Sequence, residues 1–285
     1  MWLKMESLQP SGSFKNRGMG SACRRAVQQG AEKIIASSGG NAGLAVAYAG
    51  RRLGVAVTIV VPESTGVRAR ELIAAQGASV RIHGAAWDDA HQFGLKLSRE
   101  EQGAYVHPFD DPVVWDGHAG MIDEVTEAGI EPDLVILSVG GGGLFCGLMQ
   151  GLDRNDLGRV RVLAVETEGA ASLHRSLQAG ELIELDRIDS IATTLGARRV
   201  APAALEFARR SNVATRTVTD GQALDACLRF AEDHRVLVEP ACGAALAAVY
   251  ECFEPVPEAR EILVIVCGGA GVNLEMLDAW RQNLI

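Results

Sequence analysis

Lysine is scarce in this chain: Lys4, Lys15, Lys33 and Lys96 are the only four among 285 residues. Basic side chains number 27 against 36 acidic ones, leaving a formal net charge of −9. That balance excludes the basic face that nucleic acid or an anionic membrane surface requires. No apolar run approaches the roughly 20 residues of a membrane span, and Met1-Trp2-Leu3-Lys4 lacks the apolar core of a signal peptide. Cys23, Cys146, Cys227, Cys242, Cys252 and Cys267 are scattered, with no C-x-x-C pair. The expectation is buried thiols rather than disulfides or zinc ligands, in a cytoplasmic protein. What remains is an ordinary globular composition, 48% hydrophobic and 22% charged.

Short β-branched runs alternate with helix-like segments. The candidate strands are 33–37, 57–61, 80–83, 134–139, 160–166 and 262–267. Several are continuously apolar, as strands buried on both faces of a parallel sheet are. Alanine-rich Asn41–Leu53 reads as a helix closed by Gly54, and 67–76 as one closed by Gly77. The fold class is therefore α/β with two or more parallel units. The turn Pro108-Phe109-Asp110-Asp111-Pro112 is the best candidate for a crossover between lobes, whereas 180–213 carries no readable pattern.

Three candidate strands end in glycine-rich turns: Ser37-Ser38-Gly39-Gly40-Asn41, Gly140-Gly141-Gly142-Gly143-Leu144, and Cys267-Gly268-Gly269-Ala270-Gly271. Ligands of open α/β sheets bind at such strand ends, where helix N-termini present their amides. A tight turn or a close helix–strand crossing would account for any one of them; three in one chain point to a pocket lined by backbone. At 140–143 successive amides are able to converge on an anion. Phe145 breaks the G-x-G-x-x-G spacing, and no Gly-Lys pair exists for a P-loop. The implied ligand is a compact phosphate monoester rather than a dinucleotide.

Lys96 lies in a polar helical stretch, Lys33 just before a strand and Lys4 in the first strand-like segment. Lys15 differs, following the turn Pro10-Ser11-Gly12-Ser13-Phe14 into a predicted helix over 16–28. In a helix's first turn the dipole disfavours a cation and lowers an amine's pKa, as imine chemistry requires. Local sequence also leaves open a plain surface lysine. The S-x-K spacing excludes the S-x-x-K serine-nucleophile arrangement.

Ser11-Gly12-Ser13-Phe14-Lys15-Asn16-Arg17-Gly18 resembles the cofactor-lysine motif of the fold-type II pyridoxal-phosphate enzymes, the tryptophan synthase β-like superfamily. Within it the chain is most similar to the serine/threonine dehydratases of the short serine dehydratase type. The likeness extends through 38–42, 108–112, 138–144, 238–249 and 266–269, nearly the whole chain. It implies two open, twisted, mostly parallel sheets flanked by helices, with pyridoxal 5'-phosphate in the cleft between lobes. It also implies a small lobe over 14–109, a large lobe over 1–13 and 110–285, and a homodimer. The family's pattern begins upstream of Trp2, so a large lobe lacking its first part is expected. With the sequence ending soon after Gly269, no amino-acid-sensing domain is expected.

By the same resemblance, Lys15 holds the cofactor as an imine and takes the substrate's Cα proton. Phe14 lies against one face of the ring, and Gly140, Gly141, Gly142, Gly143 and Leu144 hold the phosphate. Asn41 meets the ring hydroxyl; Ser38, Gly39, Gly40, Asn41 and Ala42 take the substrate carboxylate. Cys267 meets the ring nitrogen, and a thiol there makes the ring a weaker electron sink than a carboxylate would. A monovalent cation, potassium being the candidate, is expected at Glu166 with the Ala170 and Leu195 carbonyls and the Ser172 side chain. Glu166 also reads as a strand-end charge facing solvent. The implied activity is a lyase of amino-acid catabolism, deaminating L-serine and/or L-threonine to pyruvate or 2-oxobutyrate plus ammonia. The alternatives are a serine racemase, disfavoured because Gly39 has no proton to give, and a cofactor-binding relative with impaired turnover.

Overall fold

Apolar strands without alternation need cover on both faces, and helices connecting parallel strands supply it. The computed structural model describes residues 1–284. Its strands run, in chain order, β1 (Trp2–Lys4), β2 (Lys33–Ser37), β3 (Ala56–Val61), β4 (Ser79–Ile82), β5 (Ala104–Val106), β6 (Leu134–Ser138), β7 (Arg161–Thr167), β8 (Val213–Val218) and β9 (Ile262–Ile265). The helices are α1 (Lys15–Gln28), α2 (Asn41–Leu53), α3 (Val67–Ala74), α4 (Trp87–Glu100), α5 (Pro112–Glu127), α6 (Gly143–Arg154), α7 (Ser172–Ala179), α8 (Pro202–Ala208), α9 (Asp220–His234), α10 (Pro240–Tyr250) and α11 (Leu274–Leu284). The chain divides into two compact units, Gln9–His118 and Met1–Leu8 with the chain from Ala119 onward. The division falls inside α5.

Within Gln9–His118 the strands lie in the order β4-β3-β2-β5, every neighbour parallel. α4 covers one face, where Ile35, Val60, Ala90 and Leu97 form a buried cluster against Phe93 and Tyr105. In the other unit the order is β1-β9-β6-β7-β8, again parallel throughout. Ile136, Leu137, Val165 and Ile265 on its central strands are fully buried; shortening such a side chain to alanine costs about 2–5 kcal/mol. These two parallel sheets with their helices bear out the α/β expectation. Among the described residues no helix is long and apolar enough to cross a membrane.

The central strands match the continuous apolar runs of the sequence, and the departures lie at edges. β8 alternates, with Ala214 and Arg216 exposed, and β5 has three residues, so neither stands out as an apolar run. Edge strand β4 keeps Ser79, Arg81 and Ile82 exposed, which blunts pairing with another chain. The unread stretch after Gly180 forms a 3-10 turn at Thr193–Leu195 and the short helix α8. All six cysteines are free; five are buried and Cys252 is exposed.

Candidate active site

Parallel strands end on the same side of their sheet, and the predicted site residues gather there in each unit. In Gln9–His118 the Ser38–Asn41 turn follows β2, and the Pro108 turn follows its neighbour β5. Lys15 is the first residue of α1, where the helix's positive end faces it. Its Nζ donates a hydrogen bond to the Pro108 carbonyl and lies 5.2 Å from the centre of the Phe14 ring. The lysine, Phe14 and the Pro108 turn are thus held together.

Two imidazoles that the sequence reading missed bracket this lysine. His107 accepts the Phe109 and Asp110 amides at Nδ1 (3.3 and 2.8 Å). Burial, with His91 and the Lys15 charge, pulls its pKa down to about 4. His118, on α5, is fully buried and accepts the Gly18 amide at Nδ1 (3.2 Å). Burial first, then Lys15 and Arg17, hold it well below the ordinary histidine value. The His118 ring packs at 4.8 Å against Phe14, bracing the aromatic beside the lysine. Both rings stay neutral at pH 7, so neither adds a second positive charge beside the lysine.

The Ser38–Asn41 turn is built for close approach. Asn41 and Ala42 are buried at the start of α2, and the Gly40 amide donates to Ser38 Oγ at 3.3 Å. A Cβ on Gly43 would stand 2.0 Å from the Ser38 carbonyl oxygen, so only glycine lets α2 lie on the turn. Ser37, just before the turn, is fully buried.

In the other unit three adjacent strands, β9, β6 and β7, bring Cys267, the Gly140–Leu144 turn and Glu166 to one sheet end. Gly142 precedes α6 with φ of +91°, and a Cβ there would sit 2.7 Å from the Ala204 Cβ. The Gly141 carbonyl accepts the Ala201 amide (3.0 Å), and the first amides of α6 have no acceptor within their own helix. The turn presents backbone donors without side chains, which fits an anion such as a phosphate monoester. Cys267 is buried and hydrogen-bonded to Cys242 of α10. That bond, burial and nearby Glu239 push its thiol well above the ordinary range and keep it neutral. Glu239, whose amide donates to the Gly268 carbonyl (3.2 Å), was not singled out from the sequence. The signal was its place directly before Pro240 and α10, within the 238–249 motif.

Glu166 does not face solvent; it is fully buried. Its carboxylate accepts the Leu173 and His174 amides (2.9 and 2.7 Å) at the start of α7. Burial nevertheless raises its pKa to about 8. Ser172 is buried with its Oγ unpartnered. The Leu195 carbonyl oxygen lies 3.1 Å from where a Gly140 Cβ would stand, so it borders the glycine turn. A carboxylate in need of positive charge, beside an orphaned hydroxyl, fits a small cation.

Comparison with known proteins gives this arrangement its family. The chain is 43% identical to a human protein named L-serine dehydratase/L-threonine deaminase, over 100% of this chain and 90% of that protein. It is 42% identical to a Dictyostelium discoideum L-serine dehydratase, over 100% of this chain and 86% of the relative. A crystal structure of a fungal L-serine ammonia-lyase from Rhizomucor miehei superposes with a TM-score of 0.92 at 37% identity, covering 99% of this chain and 92% of that one. The pattern of the pyridoxal-phosphate dependent enzymes matches residues 1–268, past the lysine, both glycine turns and Cys267. The chain belongs to the family of pyridoxal-phosphate dependent enzymes.

Proposed function

We propose that this chain is an L-serine/L-threonine ammonia-lyase, converting L-serine to pyruvate or L-threonine to 2-oxobutyrate with release of ammonia. The observation that carries this is full-length similarity to proteins named for that activity, with Lys15 and the turns at 38–42 and 140–144 all in place. When bound, pyridoxal phosphate supplies an electron sink for the bond broken at the substrate's Cα.

The rest falls to this chain's own side chains and backbone. Amides of Gly140–Leu144 would hold the phosphate, and Phe14, braced by His118, would support the ring. Asn41 would meet the ring hydroxyl. Cys267, a neutral thiol, would meet the ring nitrogen without protonating it, which suits an elimination in which the β-hydroxyl departs promptly. The Ser38–Ala42 turn takes the substrate carboxylate at the start of α2. Lys15 Nζ would hold the cofactor and is the group that would take the proton from the substrate's Cα. Its hydrogen bond to Pro108 aims it, and the low basicity of His107 and His118, whose pKa values burial depresses, leaves Nζ as the base. Gly39, two residues before Asn41, has no proton for the opposite face of Cα, so elimination rather than racemisation is the outcome.

The proposal includes a monovalent cation held by Glu166, Ser172 and the Ala170 and Leu195 carbonyls. It would neutralise the buried carboxylate and steady the backbone beside Gly140. A cytoplasmic homodimer is the assembly and setting proposed, on the family resemblance; sedimentation of the purified chain tests the dimer.

The deciding experiment is an absorbance spectrum with added pyridoxal phosphate, followed by L-serine and a coupled pyruvate assay. A protein-bound cofactor band together with pyruvate is the expected result. A band without any keto acid from L-serine or L-threonine would refute the activity, and no band would refute the role of Lys15.

A further inference from the structure

Ser37 is the last residue of β2 and the anchor of the turn proposed to take the substrate carboxylate, and both its hydroxyl and its carbonyl are tied down. Its hydroxyl lies 2.5 Å from the Tyr105 hydroxyl. Its carbonyl accepts a hydrogen bond from Trp87 Nε1 at 2.8 Å. Tyr105 stands on β5 opposite Ile35, so the strand's period of two puts its ring on the face that Ser37 shares. On its far side the Tyr105 hydroxyl lies 2.6 Å from His91 Nδ1, and the His91 ring stacks on Trp87 at 4.8 Å. Space for the tyrosine is made by Gly94 of α4, where a Cβ would come within 3.0 Å of the Tyr105 ring.

Burial outweighs the opposing pull of Asp88 and lowers the His91 pKa, and burial pushes the Tyr105 hydroxyl up to about 12. Tyr105 therefore keeps its proton at neutral pH and is the member that joins Ser37 to His91. A serine, a tyrosine and a histidine joined in a chain against a sheet are a costly way to fill space that apolar side chains would fill more cheaply. What such a chain adds is a single position for the groups it joins.

We propose that Tyr105 is a positioning residue: held by His91, it fixes Ser37 and thereby sets the amides of the Ser38–Asn41 turn for the substrate's carboxylate. This rests on the proposed ammonia-lyase reading and deepens it. Tyr105 touches neither substrate nor cofactor in this role, so its removal acts on amino-acid affinity rather than on the chemical step.

The test is Tyr105→Phe in the cofactor-loaded enzyme, with three readouts. These are KM and kcat for L-serine, the Kd of L-alanine from the cofactor's absorbance change, and the affinity for pyridoxal phosphate. L-Alanine carries the carboxylate and no leaving group, so its Kd reports binding alone. KM and the L-alanine Kd should rise about tenfold, the effect of leaving the buried Ser37 hydroxyl without its partner. The affinity for pyridoxal phosphate should hold, and kcat should stay within about threefold. His91→Phe, which keeps a ring against Trp87, should raise the L-alanine Kd in the same direction and add little to Tyr105→Phe in the double variant. Unchanged L-alanine affinity in both folded variants, with the wild type turning over, overturns this inference alone. Equal losses of cofactor affinity and kcat would also overturn it, because Tyr105 would then only support the fold. A wild type that makes neither pyruvate nor 2-oxobutyrate overturns the proposed function and this inference with it.

Discussion

A methyl group added to Gly142 probes the phosphate turn directly. Gly142 has φ of +91°, and its added Cβ would lie 2.7 Å from the Ala204 Cβ and 3.0 Å from Val200 Cγ2. Gly180, in the same unit, has φ of +74° with nothing within 4 Å of the added atom. Gly180→Ala therefore measures backbone strain alone, roughly 1–2 kcal/mol. Gly142→Ala carries that strain plus steric overlap of about 1–3 kcal/mol, roughly 2–5 kcal/mol in all. At roughly 2–4 °C per kcal/mol for a domain of this size, the melting temperature should fall by about 5 °C in Gly180→Ala and about 10 °C in Gly142→Ala. Helices α6 and α8 cannot both keep their places around the methyl, so the turn shifts and loses at least one charge-assisted hydrogen bond to the phosphate. The affinity for pyridoxal phosphate should then fall about tenfold or more in Gly142→Ala and stay unchanged in Gly180→Ala. The assay is a cofactor titration followed by absorbance, alongside thermal melts of the apoproteins. A Gly142→Ala protein that melts early yet binds the cofactor normally would refute the assignment of the phosphate to this turn.

Lys15→Ala should lose the visible cofactor band and at least 1000-fold of its turnover, as covalent catalysts do, with a melting temperature near that of the wild type; normal activity would reject the mechanism. His107 titrates near 4 when folded against 6.5 in its ordinary state, so the folded chain binds fewer protons in that window. Stability should be fully present above pH 6.5 and fall by about 3 kcal/mol as pH drops toward 4. His107→Asn should remove that part of the slope in urea unfolding measured at stepped pH. Cys252 is exposed and the other five thiols are buried. A thiol reagent should therefore titrate one cysteine rapidly in the native protein and six after denaturation; rapid labelling of several would contradict the packing around Cys267.

Strand identity was legible wherever burial on both faces made it so. The apolar run at 134–138 predicts β6 without reference to the rest of the chain, because the requirement lies in its own residues. β8 was not legible, since Val213–Val218 alternates and sits at an edge; its pairing with β7 is decided by a strand about fifty residues earlier. Lys15 stood out because lysines are few and Ser11–Phe14 precedes it. His118 did not, because its role depends on Gly18 and Phe14, a hundred residues away along the chain.

The amino-acid sequence alone determined the alternation of strand and helix, the glycine turns that follow three strands, and the lysine at a helix start. Each is a local property of dihedral freedom and apolar period. Only the tertiary structure decided protonation and support. It buries Glu166 rather than exposing it, holds His107 and His118 neutral beside Lys15, and links Ser37 through Tyr105 to His91. Desolvation comes from residues distant in sequence packing around a group, and no run of neighbouring letters encodes how dry a side chain will become.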